Sequence, residues 1–600
     1  MQFIIKTIKL LKQKPALILL NICALKLFGF KTTFYLIKNK INNYKMLNRP
    51  AHYEYNPKIN VKKIYKEIEQ FSTCPLISIL LLVQQKWQKS VERSVRAVVH
   101  QMYTRWELII IIDQGAAEEV NAYIASLADN RISVIPSRTE REIIEAADNA
   151  IAHTSGELIC LLDENDELTV DALYEVVKEV HETGAEFIYT DHDHINKNNS
   201  YVEPQCKPDF SPDLLLSYNY IGNTLFLKHK MLVHAGGLRS DCMPSYRYDL
   251  TLRITEHTDK IAHVAKVLYH RHAPAVTLIK KDADAREEGD ADRKALESTL
   301  KRRGITGLVY QGAFHGTYRC QRAITEKPLV SIIIPFRDEP EYLEKCINSI
   351  VTKSTYEHFE IIGIDNQSTE EKTRCIIDSL KKCDERIQFY SYKKPFNYAA
   401  INNFAVTKTR GEHIVLLNSD IEIITRTWIE ALLEHSQRKE VGAVGAKLYY
   451  KDGSIQHAGV IIGLSGIAGH IHRYYRERND EFNYRLCLAH NVSAVTGALL
   501  MTKKDLYLRV KGMDEKHFSV GLNDIDFCLR LIQEGFTNIM TPYCEAYHQE
   551  ATSRGLDETV AKVIRFYKEA LYFKKRHAEI LYNGDPYYNK NLPLFKKGLY

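Results

Sequence analysis

E-H-I-V-L-L-N-S-D-I-E-I-I-T-R, residues 412–426, is the stretch from which the fold is read. Glu412 to Leu417 is a short apolar run rich in β-branched residues, the pattern of a buried strand. It stops at Asn418, Ser419 and Asp420, polar residues that favour turns. Open α/β sheets place ligand chemistry at the carboxyl ends of such strands. Asp420 and Glu422 are hard oxygen donors suited to Mg2+ or Mn2+ beside a diphosphate. A solvated turn without chemistry has the same local pattern, so the rest of the chain has to decide.

The stretch has a counterpart elsewhere in the chain. A-I-A-H-T-S-G-E-L-I-C-L-L (150–162) matches A-V-T-K-T-R-G-E-H-I-V-L-L (405–417). Upstream, P-L-I-S-I-L-L-L from Pro75 matches P-L-V-S-I-I-I-P from Pro328, and W-E-L-I-I-I-I-D (106–113) matches F-E-I-I-G-I-D-N (359–366). Downstream, Y-D-L-T-L-R (248–253) answers I-D-F-C-L-R (525–530), and L-Y-H (268–270) answers A-Y-H (546–548). Ordered matches of this kind indicate an internal repeat. Apolar strands alternate with helical stretches in both copies, which predicts α/β domains with mainly parallel sheets. The expected division is an arm at 1–60, one domain at 74–285, a charged linker at 286–326, a second domain at 327–555, and a helix and tail at 556–600.

Composition excludes some function classes. The net charge of +6 is small for 600 residues and argues against a nucleic-acid binder. Twelve scattered Cys without a C-x-x-C pair read as reduced thiols in a cytoplasmic protein. Residues 1–53 carry nine Lys and one Arg with no acidic residue. Ile4, Ile5, Ile8 and Leu11 share one helical face beside Lys6, Lys9 and Lys12, a basic amphipathic arm suited to an anionic membrane surface. A pair of core-packing helices with Lys at the rim fits the same residues. The apolar run 16–30 is too short to span a bilayer, and no small-residue cleavage site marks a signal peptide.

In the second copy, strand 329–334 leads to P-F-R-D-E and Asp338, and strand 359–364 leads to D-N-Q-S-T and Asp365. With Asp420 these make three carboxylates at three strand ends, although each alone fits a cap or turn. Neither G-x-x-x-x-G-K-[ST] nor G-x-G-x-x-G occurs, so ATP hydrolysis and dinucleotide chemistry are not indicated. G-L-N-D-I-D-F-C-L-R-L (521–531) opens a helix with Asp524 and Asp526 at its start, where the dipole favours negative charge. Y-H-Q-E places His548 after a strand.

These segments, with P-F-N-Y-A-A-I-N-N (395–403), K-L-Y-Y-K-D-G-S-I-Q-H-A-G (447–459) and V-T-G-A-L-L-M (495–501), resemble the inverting glycosyltransferases of family 2. The likeness is to the two-domain members that build O-antigen and other bacterial surface polysaccharides. It implies two tandem GT-A nucleotide-diphospho-sugar transferase domains. It also implies roles: Asp338, Asp365, Asn402, Asn403 and Ser419 around the nucleotide-sugar; Asp420 and His548 on Mn2+ or Mg2+, with Glu422 a further candidate; Asp524 as general base. The implied partners are a nucleotide-diphospho-sugar donor and a glycan or lipid-linked glycan acceptor, at the inner face of the cell membrane. The acidic residue that usually precedes the base in the family is Asn523 in this sequence.

Aligning the copies sets Asn165 opposite Asp420, Ile112 opposite Asp365, Gln85 opposite Asp338, Arg247 opposite Asp524 and His270 opposite His548. A permanently charged Arg cannot accept a proton, so the first copy is expected to be a non-transferring domain. A bifunctional polymerase and a carbohydrate-binding scaffold without turnover are the rival readings.

Overall fold

The computed structural model describes residues 59–83, 89–196, 198–272, 282–476, 485–549 and 559–594. The basic arm and Gln85 lie outside the described residues. The described chain divides into two compact units, 59–321 with Tyr588–Leu592 and 322–587 with 593–594.

The N-terminal unit has a nine-stranded sheet ordered β3-β2-β1-β4-β8-β6-β9-β5, with β7 on β6. Its strands are β1 (Ile77–Val83), β2 (Trp106–Asp113), β3 (Ile132–Ser137), β4 (Leu158–Asp163), β5 (Asp166–Leu168), β6 (Phe187–Ile195), β7 (Tyr201–Gln205), β8 (Leu225–Lys228) and β9 (Ile261–Arg271). The charged stretch expected as a linker forms most of helix Asp282–Arg302 and the hairpin β10 (Gly307–Gln311) and β11 (Tyr318–Arg322). Up to Gln321 it groups with this unit.

The C-terminal unit repeats the plan: β14-β13-β12-β15-β22-β17-β23-β16, with β18 on β17 and β21 on β23. The strands are β12 (Val330–Phe336), β13 (Phe359–Asp365), β14 (Ile387–Ser391), β15 (His413–Leu417), β16 (Ile421–Ile423), β17 (Val441–Tyr449), β18 (Ile455–His457), β19 (Val460–Ile462), β20 (Ala468–His470), β21 (His490–Val492), β22 (Leu499–Lys503) and β23 (Thr537–His548). β19 and β20 pair in a small sheet of their own. Strand β12 is buried along its whole length because helices cover both faces. Ile332 and Ile334 enter one core layer and Ile333 the other.

The repeat extends to side chains. Ser331 Oγ donates to Glu360 and accepts from the amide of Gly411, as Ser78 does with Glu107 and Gly156. Arg530 pairs with Asp526 and donates to the carbonyls of Val510 and Gly512. Arg253 does the same with Asp249, Ala235 and Gly237. This match places Arg247 at the position of Asp524.

One sequence alignment is corrected by strand register. His548 stands opposite Ile421, the first residue of β16, whereas Arg271 stands opposite Asp166, the first residue of β5. Arg271, not His270, therefore takes the position of His548. The tripeptide likeness at 268–270 misled because it ends one residue short of that position. His270 turns onto Asp193 at 2.5 Å.

Candidate active site

The carboxyl ends of β12, β13 and β15 bring the predicted residues to one edge of the C-terminal sheet. Asp338 and Glu339 both adopt positive φ, 53° each, ahead of helix Pro340–Lys353. This uncommon backbone is held because Asp338 Oδ1 accepts the amides of Thr369 and Glu370 at 2.8 and 2.9 Å. At the end of β13, Asp365 Oδ1 accepts the Ser368 amide at 2.9 Å, and its Oδ2 has no hydrogen bond among the described residues. Asn366 pins the same turn through Nδ2 to the carbonyls of Tyr392 and Lys394.

Asp420 follows β15 and is buried. Its Oδ1 lies 3.3 Å from His548 Nε2, with side-chain exposures of 7% and 8%. Asn418 Nδ2 lies 3.4 Å from the same imidazole nitrogen, and His548 Nδ1 is enclosed without a partner. Glu339 adds negative charge: burial and then Asp420 hold its carboxyl above the usual range. Ser419 is partly buried, and its hydroxyl has no hydrogen bond among the described residues. Glu422 turns to Lys353 at 3.8 Å with 40% of its side chain exposed.

Asp524 lies in the first turn of helix Asn523–Gln533. Its Oδ2 accepts the Gly497 amide at 2.8 Å and its Oδ1 the Ile525 amide at 2.9 Å. Burial raises its pKa, and those amides only partly offset the effect. Asn523 is buried and donates to the Val520 carbonyl. Helix Val560–Arg576 holds this region: Glu569 accepts from Ser519 Oγ and the amides of Val520 and Gly521, and Arg576 and His577 bind Asp526.

Helix Tyr398–Val406 begins at Asn397, whose side chain caps the Ala400 amide. Asn402 is fully enclosed, with Nδ2 on the Tyr398 carbonyl. Asn403 binds Met513, Glu515 and Tyr507. Both amides are thus taken up in contacts of their own, and neither is bonded to Asp338 or Asp365 among the described residues.

Tyr398 is the residue that sequence reasoning missed. Its hydroxyl lies 2.8 Å from the Gly497 carbonyl and 3.2 Å from Asn418 Oδ1. A contact path therefore runs Asp524, Gly497, Tyr398, Asn418, His548, Asp420. Gly497 is missed likewise: a Cβ there would sit 3.3 Å from Asp524 Cβ and 3.4 Å from Tyr398 Oη. The only sequence signal was that all six members of the path lie in quoted motifs, five in number.

The residues fit a divalent cation. Two adjacent ligands of an octahedral Mg2+ at ~2.1 Å bonds are about 3 Å apart, near the Asp420–His548 separation. No group of three His, Cys, Asp or Glu close enough to hold a metal occurs among the described residues. That suits an ion whose remaining positions go to water and substrate phosphates.

Residues 78–239 and 331–509 match the family described as Glycosyl transferase family 2. The chain belongs to glycosyl transferase family 2. Its two mixed sheets, in each of which β-strand neighbours along one half run parallel, are tandem GT-A domains. Among curated family relatives, the uncharacterized protein y4gI of Sinorhizobium fredii is 36% identical over 88% of this chain. The O-antigen biosynthesis protein RfbC of Myxococcus xanthus is 31% identical over 88%. The chain spans only 58% and 41% of those two proteins. A solved mannosyltransferase, PcManGT of Pyrobaculum calidifontis in complex with GDP-Man and Mn2+, aligns over 42% of this chain and 65% of its own. With 18% identity and a TM-score of 0.32, that likeness carries no functional weight.

Proposed function

We propose that the C-terminal unit is an inverting, metal-dependent glycosyltransferase. It moves a hexosyl or deoxyhexosyl group from a nucleotide-diphospho-sugar to a hydroxyl of a growing, lipid-linked surface glycan. The observation that carries this reading is the contact path joining Asp524 to the Asp420–His548 pair. The name of the Myxococcus relative supports polysaccharide, and specifically O-antigen, synthesis as the setting.

Asp365, with Oδ2 open, takes the nucleoside, and Asp338 shapes the adjoining loop. Ser419 lies beside the donor. Asp420 and His548 would hold Mn2+ or Mg2+, which when bound neutralises charge on the departing nucleoside diphosphate. Asp524 receives the proton of the acceptor hydroxyl, and its desolvation strengthens it as a base once ionised. Gly497 and Tyr398 fix the direction of that carboxylate relative to Asn418. A single in-line displacement inverts the anomeric carbon, so no covalent nucleophile is required. The setting proposed is the cytoplasmic face of the membrane; among the described residues no helix is long and apolar enough to cross one.

The test is a panel of nucleotide-sugars with Mn2+ and a lipid-linked acceptor, read by released nucleoside diphosphate and by the anomeric configuration of the product. Release with inverted product from the native chain, absent in Asp420→Asn and Asp524→Asn, supports the proposal. Retained configuration, or no donor consumed across the panel, overturns it.

A further inference from the structure

The edge of the N-terminal sheet that corresponds to the Asp420–His548 edge carries guanidinium groups. Arg271 takes the His548 position by strand register, and Arg247 takes the Asp524 position. We propose that this edge binds a phosphoryl anion directly through Arg247 and Arg271, without a divalent cation.

The ion pairs there do not close. Arg247 Nη1 and Arg271 Nη2 lie 3.4 and 3.6 Å from the same oxygen, Asp163 Oδ2. Arg271 Nε is 3.8 Å from Asp166 Oδ1. Three largely covered Arg–Asp pairs elsewhere in the chain close fully, at 2.7 Å for Arg131–Asp129, 2.6 Å for Arg386–Asp384 and 2.7 Å for Arg253–Asp249. One Asp163 oxygen, which also faces Asn223 Nδ2 at 3.3 Å, is thus shared between two cations.

The guanidinium donors are largely unused. Among the described residues the side chain of Arg247 makes one hydrogen bond, Nη2 to the Leu162 carbonyl at 3.3 Å, and its Nε is buried without a partner. The Arg271 guanidinium makes no hydrogen bond among the described residues, although three-quarters of its side chain is covered. Asp166 Oδ1 is buried and also lacks a hydrogen bond. Covered donors of this kind are costly to leave unpaired. Two planar forks that meet at Asp163, Arg271 from the end of β9 and Arg247 from helix Tyr246–Ile254, match the oxygens of a phosphate or diphosphate.

The two edges differ in their cationic groups, since at the N-terminal edge Arg247 and Arg271 stand beside Asp163 and Asp166. Asp420 and His548 need a cation between themselves and a phosphate, whereas two arginines supply that positive charge from the chain itself. This inference rests on the N-terminal edge alone and stands whether or not the C-terminal unit transfers sugars. A phosphoryl group could come from a nucleoside diphosphate or from a polyprenyl diphosphate, and the chemistry of the edge is common to both.

The test uses the full chain with Asp420→Asn, in EDTA, so that any metal-dependent uptake by the C-terminal unit is removed. Titration calorimetry is run with inorganic pyrophosphate, uridine diphosphate and geranyl diphosphate in separate arms. Saturable binding of pyrophosphate is expected, weakened roughly tenfold or more by Arg247→Gln and by Arg271→Gln. Asp163→Asn, which frees both guanidinium groups, should tighten it. Tighter binding of uridine diphosphate than pyrophosphate assigns the nucleotide source, and tighter binding of geranyl diphosphate assigns the lipid source. The proposal is overturned if no saturable binding of pyrophosphate occurs, or if binding ignores both Arg substitutions. Should the Arg variants fail to fold, Asp163→Asn decides: unchanged or weaker binding overturns the site.

Discussion

His548 Nε2 lies 3.3 Å from Asp420 Oδ1 across the antiparallel pairing of β16 and β23, which sets His548 opposite Ile421. Two buried polar side chains, proposed as metal ligands, are brought together from residues far apart in sequence. Asp420→Asn keeps the size of the side chain but removes the negative charge a divalent cation needs. Transfer should fall by at least about a hundredfold with the melting temperature nearly unchanged, and EDTA should do the same to the native chain. Full activity under either condition would sink the metal assignment.

Asp524→Asn should lower kcat by about 10²–10⁴-fold while the KM for donor is roughly kept, the pattern of a lost proton acceptor. The base works ionised, and burial raises its pKa. Native activity should therefore fail on the acid side at a pH above that of an ordinary aspartate, about 4. Collapse of donor affinity in the variant would make Asp524 a binding residue instead.

Gly497→Ala would push a methyl group against Asp524 Cβ at 3.3 Å and Tyr398 Oη at 3.4 Å. A misdirected base lowers kcat, here by roughly tenfold or more, without a matching change in donor KM. Tyr398→Phe should act in the same direction and more weakly. Equal losses in kcat and in stability would point to simple disruption of packing.

His413, buried at the start of β15 with Nδ1 on Ser436 Oγ at 2.8 Å, has its pKa lowered to about 4, chiefly by burial. The unfolded chain, with an ordinary histidine near 6.5, takes up the proton first as pH falls. Stability is thus complete above pH ~6.5 and declines as pH drops toward ~4, by about 2 kcal/mol at pH 5. Denaturant unfolding at pH 7 and pH 5 should show this slope in the native chain and a smaller one in His413→Gln. Identical slopes would exclude His413 as the cause.

Asn589, four per cent exposed, donates to Asp191 Oδ2 at 2.8 Å and to the Lys207 carbonyl at 2.9 Å inside the N-terminal unit. Asn589→Ala leaves buried acceptors unpaired and should cost about 1–3 kcal/mol. Hydrogen exchange in β6 and β9 should quicken. Unchanged exchange there would mean that the tail adds nothing to this sheet.

The repeat was legible because buried parallel strands are written as continuous apolar runs, and Pro75–Leu82 and Pro328–Pro335 share that text. Asp338, Asp365, Asp420 and Asp524 stood out as candidates because a carboxylate at a strand end or helix start interrupts an apolar pattern. Asn402 and Asn403 were placed beside the nucleotide by motif alone. In the fold, helix Tyr398–Val406 turns them into packing against Tyr398, Met513 and Tyr507. Neighbouring positions on a helix face different surroundings, which spacing does not reveal.

Two α/β copies, the carboxylates at their strand ends, and Arg247 where the second copy has Asp524 are already written in the residue order. Those are local properties, set by apolar periodicity and by residue type. Folding adds that Arg271 rather than His270 stands where His548 does, and that Tyr398 and Gly497 join Asp524 to the Asp420–His548 pair. Register between β5 and β9, and between β16 and β23, depends on hydrogen bonding between segments far apart in the chain, and one residue of slip turns a side chain to the opposite face of the sheet.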